Sequence, residues 1–138
     1  MSDSVIDASA LGAIAFGEPE ADAVRRQLSE SRVHAPGLLP FELANIAWKK
    51  TRAHPDRADE YAAALNDGLR LDIQWQSVDY QGVLRLAVAE GITAYDAAYL
   101  WLARHLDLPL VTLDRKLAAR TRLKTRRAGD GSRGDEKT

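Results

Sequence analysis

Four carboxylic acids stand where short apolar segments give way to helix-forming ones: Asp7 in SVIDAS, Glu42 in PFELANIAWK, Asp96 in TAYDAAYLWLA and Asp114 in LVTLDRKL. Each has a sufficient local role. Asp7 and Asp114 suit a helix N-cap, where a side-chain oxygen accepts from the first free backbone N–H groups. Glu42 and Asp96 suit a first turn, where the helix dipole favours an acid. Gathered in one crevice the same four groups conflict, because two carboxylates 4 Å apart repel by about 4 kcal/mol at an effective dielectric of 20. A hard divalent cation cancels that repulsion. All-oxygen ligands favour Mg²⁺ or Mn²⁺, and such a site activates water and stabilises charge on a phosphodiester during in-line displacement.

Whether the four acids meet depends on the elements that carry them. Ser4 to Asp7 reads as a short strand, followed by a small-residue helix from Ala8 to Phe16. Glu18 to Glu30 has the apolar spacing of an amphipathic helix, at Ala21, Val24 and Leu28. Arg32 to Ala35 is a weak strand ended by Pro36-Gly37, and Pro40 suits the first turn of the helix that runs through FELANIAWKK. After a break at His54-Pro55-Asp56, helix resumes over Arg57 to Leu69. Leu71 to Val78 alternates as a half-buried strand, Asp79 to Glu90 is helical up to Gly91, and Thr93 to Leu106 is a further helix. Leu108 to Leu113 forms a strand and Asp114 to about Lys124 a last helix, while the glycine-rich polar stretch from Ala128 is expected to be disordered. Strands alternating with helices give an α/β fold, with a mostly parallel sheet covered on both faces.

In such a sheet the loops at the carboxyl ends of the strands line one edge, where ligands bind. Asp7 and Asp114 both end strands. Asp96 and Asp114 are eighteen residues apart. The helix from Asp96 to Asp107 runs about 17 Å at 1.5 Å per residue, and the strand from Pro109 to Asp114 returns about 17 Å at 3.3 Å per residue. The two carboxylates therefore arrive at the same end. Glu42, in the first turn after the second strand, starts near that edge too. Asp96 is also the only charged residue between Ala94 and Ala103, a stretch apolar on all sides and so expected to be buried. A buried carboxylate must be protonated, paired or bound to a cation.

Composition narrows the setting. The chain has 138 residues, 46% of them hydrophobic, which is enough for one domain with a sizeable core. It has no cysteine, so it carries neither a disulfide framework nor a thiolate metal site, consistent with a reducing, cytoplasmic location. The apolar run Ala8 to Phe16 is too short to span a bilayer and follows an acidic, not basic, start, so neither membrane insertion nor a signal peptide is expected. Net charge is −1, yet residues 115–127 hold seven Lys or Arg and no acid, leaving −8 for the rest. That run is either a solvated helix face or a strip for phosphates, with Arg115, Lys116 and Arg120 nearest the acids. Three scattered histidines support no zinc site, and no phosphate-binding glycine loop is present. Trp48, Tyr95, Tyr99 and Trp101 fit core or dimer contacts better than base-stacking platforms.

VIDAS, PFELANIAWK, TAYDAAYLWLA and LVTLDRKLA together resemble, in order, the four acidic motifs of PIN-domain ribonucleases, most closely the VapC toxins of bacterial toxin-antitoxin pairs. The resemblance covers about Ser4 to Ala119. It implies a PIN-like three-layer α/β/α sandwich with a short, mostly parallel central sheet; with the polar stretch set apart as a tail over 128–138, the domain is expected over residues 1–127. It further implies endonucleolytic cutting of RNA with Mg²⁺ or Mn²⁺ held by Asp7, Glu42, Asp96 and Asp114. Ser9 and Thr112 match small hydroxyl positions that orient a ligand or water. A homodimer and inhibition by a cognate antitoxin are implied as well. The pattern departs after the last helix, where TRLKTRRAGDGSRGDEKT reads poorly as the family's further edge strand. Two other readings remain open: a PIN fold that binds RNA or protein without cutting, and a phosphotransferase using Asp7 as nucleophile, the latter weakened by the lack of an acid at position 9 and of a partner lysine.

Overall fold

A computed structural model of the chain describes residues 3–121. Its elements run β1 (Ser4–Ile6), α1 (Ala8–Ala15), α2 (Ala21–Leu28), β2 (Val33–Pro36), α3 (Leu39–Ala53), a 3₁₀ turn (Pro55–Arg57), α4 (Ala58–Leu69), β3 (Ile73–Gln76), α5 (Tyr80–Glu90), α6 (Ala94–Leu106) and β4 (Leu110–Val111), then α7 over residues 115–121. The last residues of the expected final helix, the basic residues 122–127 and the polar tail lie outside the described residues.

Local chemistry sets the boundaries. Pro sits in the first turn of α3, as expected. Gly91 ends α5 in a left-handed conformation with φ 66°, where an L side chain is disfavoured. Asp107 ends α6 the same way at φ 55°, one of the few non-glycine types that tolerate it, and turns the chain into β4. The strands are shorter than the sequence suggests. The alternation Leu71, Ile73, Trp75 predicts one buried face, but only Ile73 is buried, and Leu71 and Trp75 are 45% and 46% exposed. β3 is an edge strand, so the sheet covers it on one side only. Trp48 and Tyr95 are likewise exposed, whereas Tyr99 is core.

All four strands are parallel, in the order β3-β2-β1-β4. The chain moves from β1 outward through β2 to β3, then crosses back over the sheet to place β4 on the other side of β1. Right-handed crossovers put α1 to α4 on one face for the first two connections and α5 with α6 on the other for the return. Packing agrees: α1, α3 and α4 contact one another, α5 pairs with α6, and α6 lies on β1 and β2. The reversal of direction falls between β1 and β4, which makes their carboxyl ends the switch point where open α/β sheets bind ligands. Ile6 pairs with Val111, so Asp7 and Thr112 emerge side by side. Among the described residues, no helix is long and apolar enough to cross a membrane.

The core is small-residue packed on the α1 to α4 side. A Cβ added at Gly68 of α4 would stand 2.9 Å from the Ala15 Cβ of α1, which cannot rotate away. Replacing glycine by alanine in a helix interior ordinarily stabilises by about 1 kcal/mol. Here overpacking, at about 1–3 kcal/mol, outweighs that gain. Gly68→Ala should therefore lower the denaturation midpoint with an unchanged m-value; a rise would show that α4 can move off α1.

Candidate active site

Asp7 follows β1 directly and is only 6% exposed. Its burial is compensated on both oxygens. Oδ1 accepts from Ser9 Oγ at 2.7 Å and from the Ala10 backbone N–H at 3.0 Å, and Oδ2 accepts from Thr112 Oγ1 in a short contact. Asp7 is thus the α1 N-cap and is also tied to the end of β4. Ser9 Oγ reaches across the same gap to accept from the Leu113 backbone N–H at 2.9 Å. The two hydroxyls singled out in the sequence hold Asp7 in one orientation.

Glu42 projects from the first turn of α3, where its carboxylate Oε1 accepts from the Tyr99 hydroxyl at 2.6 Å. Tyr99 is 1% exposed and lies one turn after Asp96 on α6, so this bond fixes α3 against α6 at the level of the acids. Thr93 caps α6 by accepting from the Asp96 backbone N–H at 3.1 Å, leaving the Asp96 carboxylate with no hydrogen bond among the described residues. Asp96 is half-buried, not buried as an all-apolar helix suggests, because the first turn of α6 opens onto a cavity. Asp114 caps α7 through Oδ1, which accepts from Lys116 and Leu117 backbone N–H groups at 2.9 and 3.2 Å.

These four acids, from the ends of β1 and β4 and the starts of α3 and α6, line one cavity of about 230 Å³. Ser9 lines it with them, while Thr112 acts from behind Asp7. Three carboxyls sit above their ordinary pKa. Burial does most for Asp7, with the Asp114 charge adding and the three hydrogen bonds opposing. Burial also leads for Glu42, whose Tyr99 bond opposes it while Asp96 and Asp7 add. Burial leads again for Asp96, followed by Asp114 and Asp7. Among the described residues, no Lys or Arg forms an ion pair with any of the four. Nor, among the described residues, do three acidic or imidazole side chains stand close enough together to hold a metal ion as they are. The donor set is oxygen throughout, which fits a hard divalent cation.

The basic residues nearest the acids divide. Arg115 and Lys116 are exposed at the start of α7, but Arg120 is engaged with Glu90 of α5 at 3.0 Å, so its charge serves the packing of α7. Three polar lining residues escaped the sequence reading: Tyr99, Asn45 and Lys49. Helical phase held the signal, since Asn45 and Lys49 follow Glu42 by three and seven residues on one face of α3, and Tyr99 follows Asp96 by three.

A model of the PIN domain matches residues 4–123, nearly the whole described chain. The chain belongs to the PIN domain family. Curated relatives of this PIN chain include ribonuclease VapC3 of Pyrobaculum aerophilum, 35% identical over 83% of this chain and 91% of that protein. Exonuclease VapC9 of the same organism is 36% identical over 86% of this chain and 85% of its own length. Ribonuclease VapC1 of Mycobacterium tuberculosis is 34% identical over 86% and 91%. The likeness to VapC-type PIN proteins drawn from the four motifs is borne out. The crystal structure of PAE2754 from Pyrobaculum aerophilum superposes with a TM-score of 0.72 at 30% identity, over 87% of this chain and 80% of that one. That of VapC20 from Mycobacterium tuberculosis, a sarcin-ricin loop cleaving toxin, gives 0.62 at 15% identity over 86% and 95%, a likeness of fold.

The raised carboxyls of this PIN domain have a sign that can be measured. An acid with a raised folded pKa binds protons more readily folded than unfolded, so its ionised form weakens the fold. That loss sets in as pH rises through the ordinary carboxylate range, is complete above the raised folded value, and disappears at lower pH. In EDTA, Asp7→Asn should raise Tm at pH 7, with the advantage vanishing near pH 4. A lower Tm at pH 7 would mean that the hydrogen bonds, not burial and repulsion, dominate at Asp7.

Proposed function

We propose that this chain is a metal-dependent endoribonuclease, the toxin component of a type II toxin-antitoxin pair, with Mg²⁺ or Mn²⁺ held by Asp7, Glu42, Asp96 and Asp114. The observation that carries this reading is the convergence of four acids from four separate segments on one cavity, none of them in an ion pair with a Lys or Arg among the described residues. Membership of the PIN family and relatives named as ribonucleases support it.

A bound divalent ion supplies Lewis acidity toward a phosphoryl oxygen and a water acidified for attack. The chain's own residues do the positioning. Asp7, clamped by Ser9, Thr112 and the Ala10 N–H, presents a ligand whose orientation is set before substrate arrives. Asp114 keeps one oxygen on the α7 backbone, which leaves its second oxygen for an ion in the cavity it lines. Asp96, with no side-chain hydrogen bond among the described residues, adjusts to complete the ligand set. Glu42, steadied by Tyr99, ligates a second ion or orients the attacking water and takes its proton.

The same reading carries a cognate antitoxin as partner, a cytoplasmic location and a homodimer. Tyr80, Leu84 and Val88, which are 81%, 59% and 76% exposed, form an apolar stripe at four-residue spacing along α5 that suits a second copy.

Relatives carry both ribonuclease and exonuclease names, so the substrate of choice is a circular RNA, which offers no end. Wild type with Mg²⁺ or Mn²⁺ should linearise it, and EDTA should abolish cutting. Asp96→Asn and Asp114→Asn should each cost at least about a thousandfold, some 4 kcal/mol of barrier. Ser9→Ala and Thr112→Val should cost about 10- to 100-fold, as supporting residues do. Equal cutting by wild type and Asp96→Asn would point to a contaminant and remove the site assignment. Binding without cutting would favour the non-catalytic PIN module.

A further inference from the structure

We propose that the groove between the end of α1 and the C-terminal half of α3 is a track for the sugar-phosphate backbone of single-stranded RNA, entered from the acid cavity past Lys49. The inference rests on the ribonuclease reading and extends it to how the substrate is held.

Two cavities share one side chain. Lys49 lines the acid cavity with Glu42 and Asn45, and it also lines a neighbouring open groove of about 480 Å³. That groove carries Lys50, His54 and Arg57 along the end of α3 and the turn after it, with Phe16 and Tyr61 on its walls. Its one lining acid, Glu18, is already held by Lys50 in a short ion pair, and Arg57 is paired with Glu60, which does not line the groove, at 2.7 Å. Lys49 is exposed and, among the described residues, has neither ion pair nor hydrogen bond. The groove is therefore net positive beside a cavity that is strongly negative.

That juxtaposition answers a problem the acid cavity creates. A polyanion approaching four carboxylates is repelled wherever no metal ion screens them, so its flanking phosphates need cations at the mouth. From Glu42 to Lys49 is about 10 Å along α3 at 1.5 Å per residue, and the helix continues about 6 Å further to Ala53. A strand whose reacting phosphate lies at the acids thus meets Lys49 next and then Lys50, His54 and Arg57. Phe16 and the buried Tyr61 form the wall beneath these cations, with Lys50 5.5 Å from the Phe16 ring centre and Arg57 5.0 Å from that of Tyr61.

The test is binding of a fluorescein-labelled 20-nucleotide oligouridylate to the full chain in EDTA, read by fluorescence anisotropy over a range of NaCl concentrations. EDTA separates binding from cutting, so the outcome does not depend on finding the natural target. Lys49→Gln should lower the slope of log affinity against log salt by about 0.7, and Lys49→Gln with Arg57→Gln by about 1.4, the values for one and two lost phosphate contacts on a single strand. The double variant should also bind about tenfold more weakly near 0.1 M salt. A charge-matched control, Arg26→Gln with Arg85→Gln on the exposed faces of α2 and α5, should leave the slope unchanged. Thermal melting of Lys49→Gln should match wild type, because that side chain makes no polar contact among the described residues. Unchanged slopes in both Lys49 variants, or equal losses in the control, would overturn the track while leaving metal-dependent cutting intact. Absence of metal-dependent cutting by wild type would remove the ribonuclease reading, and the track with it.

Discussion

A carboxylate that keeps 6% of its surface in contact with solvent must be satisfied by its neighbours, and Asp7 is the point on which the arrangement of this domain depends. Its two oxygens gather Ser9, the start of α1 and the end of β4 into one knot. The same knot joins the first strand to the last, at the place where the sheet changes direction. Because Asp7 cannot turn away, every other acid brought to that edge adds repulsion. Burial and mutual charge raise Asp7, Glu42 and Asp96 together, so the folded chain stores an unfavourable charge arrangement at a single site. Stability is given up there in favour of a cavity that attracts cations.

The remaining structure can be seen as the means of delivering four acids to that edge. Parallel strands send Asp7 and Asp114 to the same side, and right-handed crossovers return α3 and α6 with their N-terminal turns beside them. The Tyr99 to Glu42 hydrogen bond then joins the helices of opposite faces across the sheet edge. Tyr99 is one of the largest fully buried side chains, so the same residue that fills the core also sets the height of Glu42. Core packing and site geometry are therefore not separable on α6.

Much of this was legible in the chain, and the limits follow from the physics. The acids could be placed because helix and strand rises are fixed, so the eighteen-residue spacing from Asp96 to Asp114 makes a closed return path whatever surrounds it. Their N-cap and first-turn roles were legible for the same local reason. Strand lengths were not, since Leu71 alternates correctly yet falls before β3, and Trp75 lies on an edge strand that only tertiary structure defines. Asp96 was expected to be buried from its apolar neighbours, and the opening at the first turn of α6 makes it half-exposed. Arg120 looked like its basic neighbours, yet its pairing with Glu90 thirty residues away belongs to α7 docking on α5. Tyr99, Asn45 and Lys49 carried a weak signal in helical phase, but which face of α3 or α6 meets the acids is decided by packing.

The most direct measurement of the central claim is the anomalous difference map of a crystal soaked in Mn²⁺. A shared site requires a peak inside the cavity with oxygens of Asp7, Asp96 and Asp114 within about 2.0 to 2.6 Å of the ion. No peak in the cavity at saturating Mn²⁺, or Asp96 and Asp114 carboxylates still more than about 8 Å apart, would contradict a common ion.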